Sequence, residues 1–171
     1  MAPQPRQSDF ERVYEEQVAS VYGFLAYRSR DRELAEDLTQ ATFERALRGW
    51  SRFDPRRASV RTWLLVIARN LLIDHHRKRS EVLVAEVDDR ALGRVDGPEQ
   101  QLGVSAVLLN ALAELSDRDR EVVALRYGGD LTGPEIAELL GLTLANVQQI
   151  LSRSLRRLRA LLGESGAVRN G

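Results

Sequence analysis

The 171-residue sequence contains no cysteine, one methionine and only two histidines, which are adjacent. Without cysteine, disulfide scaffolds, thiolate zinc sites and cysteine nucleophiles are all excluded. Asp74, His75 and His76 are consecutive, so on a helix they point about 100° apart and cannot converge on one metal or reacting atom. There is no Gly-rich phosphate loop, no Gly-x-Ser-x-Gly elbow and no His-Glu-x-x-His motif. Enzymatic, metal and cofactor chemistry therefore find no candidate residues, and no small-molecule substrate is expected. The longest apolar run, Trp63 to Ala68, stops at Arg69, far short of the roughly 18 residues of a membrane span. Met1 to Gln7 hold no apolar h-region. A cytoplasmic protein without membrane insertion is expected.

Net charge is also missing: 25 basic residues balance 25 acidic ones. The charges are nevertheless sorted along the chain. Residues 51–79 carry eight basic and two acidic groups, and residues 144–162 carry four arginines and no acid. Between them, residues 80–99 carry two basic and six acidic groups, and residues 100–143 carry three and seven. Two basic blocks separated by acidic chain suit a polyanion binder with two points of contact. The 43% hydrophobic content is enough to build a core.

Helical periodicity dominates and strand alternation is nearly absent, so the fold class is all-α. Helices are expected near 8–28, 32–49 and 59–79, with Asp31 and Ser59 as N-caps of the second and third. In the third, Val60, Leu64, Ile67 and Leu71 form the expected core stripe beside Trp63. From Ser80 to about Ser105, Gly93, Gly97, Pro98 and the acidic residues break the pattern, as a flexible linker would. The second half restarts with Leu108, Leu112 and Leu115. Ser116 with Asp119 and Thr132 with Glu135 make capping-box pairs, Pro134 sits in a first turn, and Gly141 ends that helix. Thr143 caps a long last helix whose expected stripe is Leu151, Leu155, Leu158 and Leu162.

Leu131 to Val147 read as a helix-turn-helix: two short helices, a Gly-containing turn, and small Ala137 where they approach. In such a motif the second helix enters the major groove by its N-terminal part. Asn146, Gln148 and Gln149 are candidate base readers there, because amides pair bidentately with adenine. Arg153, Arg156 and Arg157 are candidate phosphate contacts. In the first half, Trp50, Phe53 and Trp63 interleave with Arg52, Arg56, Arg57 and Arg61. Single-stranded nucleic acid is held by such mixtures, since bases stack while cations track the backbone. Trp63 also fits the core stripe, so its part in this mixture stays open.

Three stretches together resemble the bacterial RNA polymerase sigma factors of the extracytoplasmic-function (ECF) subgroup. They are Glu33 to Phe43 (ELAEDLTQATF), Arg52 to Pro55 followed by Ser59 to Leu64 and Ile67 to Asn70 (SVRTWL, IARN), and Leu115 to Arg159. The resemblance implies a subunit that joins core RNA polymerase and directs it to promoter DNA. It implies region 2 at 8–79, an acidic linker at 80–105 that threads toward the active centre, and region 4 at 106–162. By the same likeness, Asp37, Gln40 and Glu44 would face the polymerase. Arg52, Phe53, Asp54 and Arg57 in the loop, with Arg61, Arg69 and Asn70 on the following helix, would hold the melted −10 strand. Asn146, Gln148, Gln149, Ser152, Arg153 and Arg156 would face the −35 duplex. A partner anti-sigma factor is implied as well.

Two other readings compete with this one. A stand-alone duplex-binding regulator would use the helix-turn-helix and leave Asp37, Gln40 and the aromatic-basic loop idle. A helical scaffold would tolerate charge reversal at Arg153 and Arg156.

Overall fold

The computed structural model describes residues 7–85 and 105–167, and among them the regular structure is helical throughout. The first domain holds α1 (Gln7–Ser29), α2 (Arg32–Gly49) and α3 (Val60–Ala85). The second holds α4 (Ala106–Ala113), α5 (Asp117–Val123), α6 (Gly133–Leu140) and α7 (Leu144–Ala167).

Local chemistry accounts for most boundaries. Arg30 takes a left-handed φ of 59° to reverse the chain after α1. Asp31 then accepts the Leu34 N–H at 3.0 Å, satisfying one of the free donors at the start of α2. Ala35, Thr39, Thr42, Phe43 and Ala46 form the buried face of α2. The hydroxyls of Thr39 and Thr42 bond back to the carbonyls of Ala35 and Leu38, so both buried hydroxyls have a partner. Ser59 accepts the Thr62 N–H at 3.1 Å to start α3. The expected linker begins later than the sequence implies. Ser80 to Ala85 continue α3, because no glycine or proline stands between Val60 and Ala85 to stop it. The remainder of the expected linker, 86–104, lies outside the described residues.

In the second domain, Ser105 and Ser116 cap α4 and α5 by accepting the N–H groups of Leu108 and Asp119. Arg120 clasps the two helices together. Its guanidinium donates to the carbonyls of Leu112, Ala113 and Leu115 where α4 ends and its carbonyls run short of helical donors. After Val123 the helix widens into a π-turn over Ala124–Gly128. The helix-turn-helix follows. Thr132 and Glu135 form a reciprocal capping box, and Gly141 takes φ 65° between α6 and α7. Thr143 then accepts the Asn146 N–H.

Two core stripes differ from expectation. The fully buried residues of α3 are Leu64, Leu65, Ala68 and Leu72, while Val60, Ile67 and Leu71 are half-buried. The stripe is turned because α3 is covered from two sides, with Gly129 of the second domain pressed against Leu65. In α7 the buried line is Val147, Ile150, Ser154 and Leu158. Leu151 and Leu155 flank it, and Leu162 is exposed. A helix of 24 residues outruns the short helices of about eight that it packs on, so its end has nothing to bury against.

Both domains are present and they are closed on each other. One hydrophobic core includes Phe24, Leu25, Leu64 and Leu65 of the first together with Leu125, Leu131, Ile136 and Ile150 of the second. A smaller core of Leu109, Ala111, Leu112, Leu115, Val123 and Leu158 is built from the second domain, with Tyr27 of α1 packed against it. At the junction Gly23 on α1 meets Gly128 at the end of the π-turn. A Cβ on Gly128 would stand 2.5 Å from the Gly23 carbonyl oxygen, and one on Gly23 would stand 2.6 Å from that of Gly128. A glycine inside a long helix costs about 1 kcal/mol against alanine, and here close backbone approach is the reason for it.

Candidate nucleic-acid interface

The outer face of α7 is built by its cap and its amphipathicity. Capping by Thr143 exposes the first turns, and burial of Val147, Ile150 and Ser154 turns the polar residues outward. Asn146, Gln148, Gln149, Ser152, Arg153 and Arg156 are all exposed there. Asn146, Gln149 and Arg153 line a hollow of about 200 Å³ with Arg118 and Ile150; Gln148, Ser152 and Arg156 lie outside it. Arg153 does not stand alone. Its Nε and Nη2 donate to the Asp119 carboxylate at 3.1 and 2.6 Å. Asp119 is mostly buried, so this fork fixes where the guanidinium sits. Arg118 and Asp119 are thus parts of this face absent from the sequence-derived site. Their position beside the Ser116 cap was legible, but their meeting with α7 was not.

The loop between α2 and α3 forms a second face. Phe53 stacks on Trp50 with ring centroids 5.3 Å apart and planes within 5°, and Trp63 leans on Phe53 at 4.9 Å. Trp50 is buried and the other two rings are half-buried, so the three form a rigid aromatic wall. Asp54 sets the loop by accepting the Arg56 N–H and both arms of the Arg56 guanidinium, each at 3.0 Å. Those bonds hold the Asp54 carboxyl below the usual carboxylate range. Arg52 and Arg57 are exposed, and Arg52 lines a hollow of about 350 Å³ with Arg45, Arg48, Gly49 and Trp63.

Further along α3 the predicted contacts part company. Asn70 is exposed. Arg61 donates to buried Gln17 at 2.9 Å and to Asp130 of the second domain at 2.8 Å. Arg69 donates to Glu121, also of the second domain, at 2.6 Å.

The third surface lies on α2. Asp37, Gln40 and Glu44 share one exposed face, and Gln40 donates to Glu44 at 3.0 Å. Gln40 and Glu44 also rim an apolar groove of about 590 Å³ between α1 and α2, floored by Phe10, Tyr14, Tyr22 and Phe43. Asp37 lies outside that groove.

These surfaces define a helical protein with one amide-and-arginine face, one aromatic-basic face and one acidic, apolar-grooved face. The chain matches the family "Sigma-70 region 2" over residues 13–82 and "Sigma-70, region 4" over residues 111–160. It is 34% identical over 152 residues to the ECF RNA polymerase sigma factor SigM of Bacillus subtilis, covering 87% of this chain and 92% of that one. It is 32% identical to the RNA polymerase sigma factor YlaC of the same organism, covering 91% and 92%. The chain belongs to the ECF RNA polymerase sigma factors, a non-enzymatic family of transcription initiation.

Solved structures share the fold. The sigma factor RpoE of Bartonella quintana, in complex with the anti-sigma factor NepR, superposes with a TM-score of 0.78 at 24% identity, covering 91% of this chain and 98% of that one. CnrH, in complex with the cytosolic domain of CnrY, gives a TM-score of 0.62 at 23% identity, covering 93% and 90%. No helix among the described residues is long and apolar enough to cross a membrane.

Proposed function

We propose that this sigma factor works as a bipartite promoter reader in the cytoplasm, its two domains engaging two DNA elements while core RNA polymerase holds the first domain. The observation that carries the reading is the sorting of α7. Amides and hydroxyls at Asn146, Gln148, Gln149 and Ser152 stand at its N-terminal half, with Arg153 and Arg156 behind them, on a capped helix whose other side is core. That is the disposition needed to read base edges of the −35 element while cations hold phosphates.

The aromatic-basic loop serves the −10 element. Arg52 and Arg57 track the backbone of the melted strand, Asp54 keeps the loop in shape, and the wall of Trp50, Phe53 and Trp63 gives bases an apolar surface to rest against. Arg61, Arg69 and Asn70 continue that path along α3. Asp37, Gln40 and Glu44, together with the groove beside them, make the polymerase-binding face. Of the proteins that share the fold, RpoE is in complex with the anti-sigma factor NepR and CnrH with the cytosolic domain of CnrY, and an anti-sigma factor is the expected negative partner here. No cofactor is called for.

Run-off transcription from genomic fragments, with purified bacterial core polymerase and with or without this protein, tests the reading. Discrete start sites that need the protein are expected. Binding to core with no protein-dependent start on any fragment would overturn it.

A further inference from the structure

The arginines on α3 that would hold the melted strand are already occupied. Arg61 Nε donates to Gln17 Oε1, and its Nη1 donates to both the carboxylate and the backbone carbonyl of Asp130, at 2.8 and 3.3 Å. Arg69 Nε donates to Glu121 Oε1 at 2.6 Å. A carboxylate on a guanidinium edge takes the place and the charge of a phosphate oxygen. Glu121 sits on α5, and Asp130 just beyond the π-turn, where a left-handed φ of 57° forms the bend that brings its carboxylate to α3. A third pair, Arg28 with Asp117 at 3.5 Å, crosses the same junction.

We propose that Glu121 and Asp130 are phosphate mimics: in the closed chain the second domain plugs the strand-binding arginines of the first, and a DNA strand must displace it to bind. The proposal rests on the reading of Arg61 and Arg69 as strand contacts.

The balance of forces fits a plug better than a clamp. Asp130 is 67% exposed, and an ion pair in that setting adds little to stability. The shared core and the Gly23–Gly128 contact hold the domains together. The acids add the margin that sets how often the chain opens, and they decide what can reach the arginines while it is closed. Glu121 is only 16% exposed, so stripping Arg69 from it would strand a largely buried carboxylate. A strand therefore cannot take Arg69 while the domains stay closed. Strand affinity is scaled by the open fraction, and whatever opens the chain raises it.

The absence of cysteine makes a clean test possible. Spin labels on Glu11→Cys and Arg159→Cys report the separation of α1 and α7 in the otherwise full chain. The unaltered junction should give one narrow distance, and Glu121→Gln with Asp130→Asn should give a broader, longer distribution. Anisotropy with a labelled single-stranded 30-mer of mixed sequence should show the Glu121→Gln/Asp130→Asn protein binding at least about fivefold tighter, as expected if the open fraction rises from about a tenth or less. Glu15→Gln with Glu16→Gln removes the same charge at exposed positions on α1 and should gain far less. Equal gains in the two double variants, or a narrow distance that persists when the strand is saturating, would overturn the proposal. Should the first double variant not fold, Arg69→Glu with Glu121→Arg serves in its place. The swapped pair should restore the narrow distance that each single change broadens, and indifference of the distance to all three would refute the plug. Strand binding and label distances are read without polymerase. A failure of run-off transcription would therefore count against the promoter reading alone.

Discussion

Arg153 illustrates how little of a side chain's role its exposure reveals. Half of its surface is open to solvent, yet two of its nitrogens are fixed by Asp119 from a helix 34 residues away in sequence. A guanidinium so held meets a base edge or phosphate at small entropic cost. Asp119→Asn should leave binding to scrambled duplex unchanged or slightly stronger. It should lower discrimination for the upstream element about three- to tenfold, in line with partial loss of a good directional contact. Anisotropy on matched and scrambled duplexes checks this, and an equal loss on both would remove Asp119 from any positioning role. Gln149→Ala, by contrast, should cost about 1–3 kcal/mol at one base pair of the promoter only. A uniform loss across all base pairs would show that Gln149 does not read sequence. The amides and arginines of this face were legible in the sequence because they stand at helical spacing on one element. Arg118 and Asp119 were not, since nothing in a one-dimensional pattern says which face of α5 meets α7.

The individual helices were largely legible from their punctuation. Asp31, Ser59, Ser116, Thr132 and Thr143 each accept the expected backbone N–H, and Gly141 takes the left-handed turn. Caps are local chemistry, so sequence neighbours suffice to read them. Gly141→Ala should destabilise the helix-turn-helix by about 1–2 kcal/mol, because a Cβ crowds the carbonyl at positive φ even though no neighbour obstructs it. Thr132→Ala should cost about 1 kcal/mol through loss of the box. Urea denaturation checks both, and no change at Gly141 would mean that the turn relaxes to negative φ. The buried stripes were less legible. Periodicity gives the repeat of a helix but not the direction of its neighbours, and α3 has neighbours on two sides. On α2, Asp37→Arg should abolish assembly with core polymerase while thermal unfolding stays the same. An unaltered core affinity would take Asp37 out of the interface, as its place outside the groove rimmed by Gln40 and Glu44 already makes a pointed question.

At the scale of the molecule, the sequence shows a basic block at 51–79 and acidic chain at 100–143, which is the sense of charge that the domain junction brings together. The residues that meet were hidden, because Glu121 and Asp130 lie 52 and 69 positions from their arginines. The closed form also carries a titrating group. His76 on α3 is held below its ordinary pKa, first by burial and then by Arg28, with His75 and Arg79 acting in the same sense and Asp117 opposing them. A histidine with a lowered folded pKa binds fewer protons folded than unfolded, so the folded chain is favoured above the ordinary value near 6.5 and loses stability as pH falls below it. Thermal unfolding between pH 7.5 and 5.5 should show that loss, and His76→Gln should flatten it. An identical slope in the variant would assign the pH dependence to other groups.

The glycine contact has a genetic corollary. Most substitutions that spoil packing lower a protein's output, but at Gly23 and Gly128 any added side chain pries apart the closed state that the proposed plug makes inactive. A selection for raised promoter firing should therefore recover missense alleles at these two codons, and alanine, the smallest step available, should be among them. Such alleles would be dominant, because a sigma factor that opens too readily competes for polymerase alongside the normal copy.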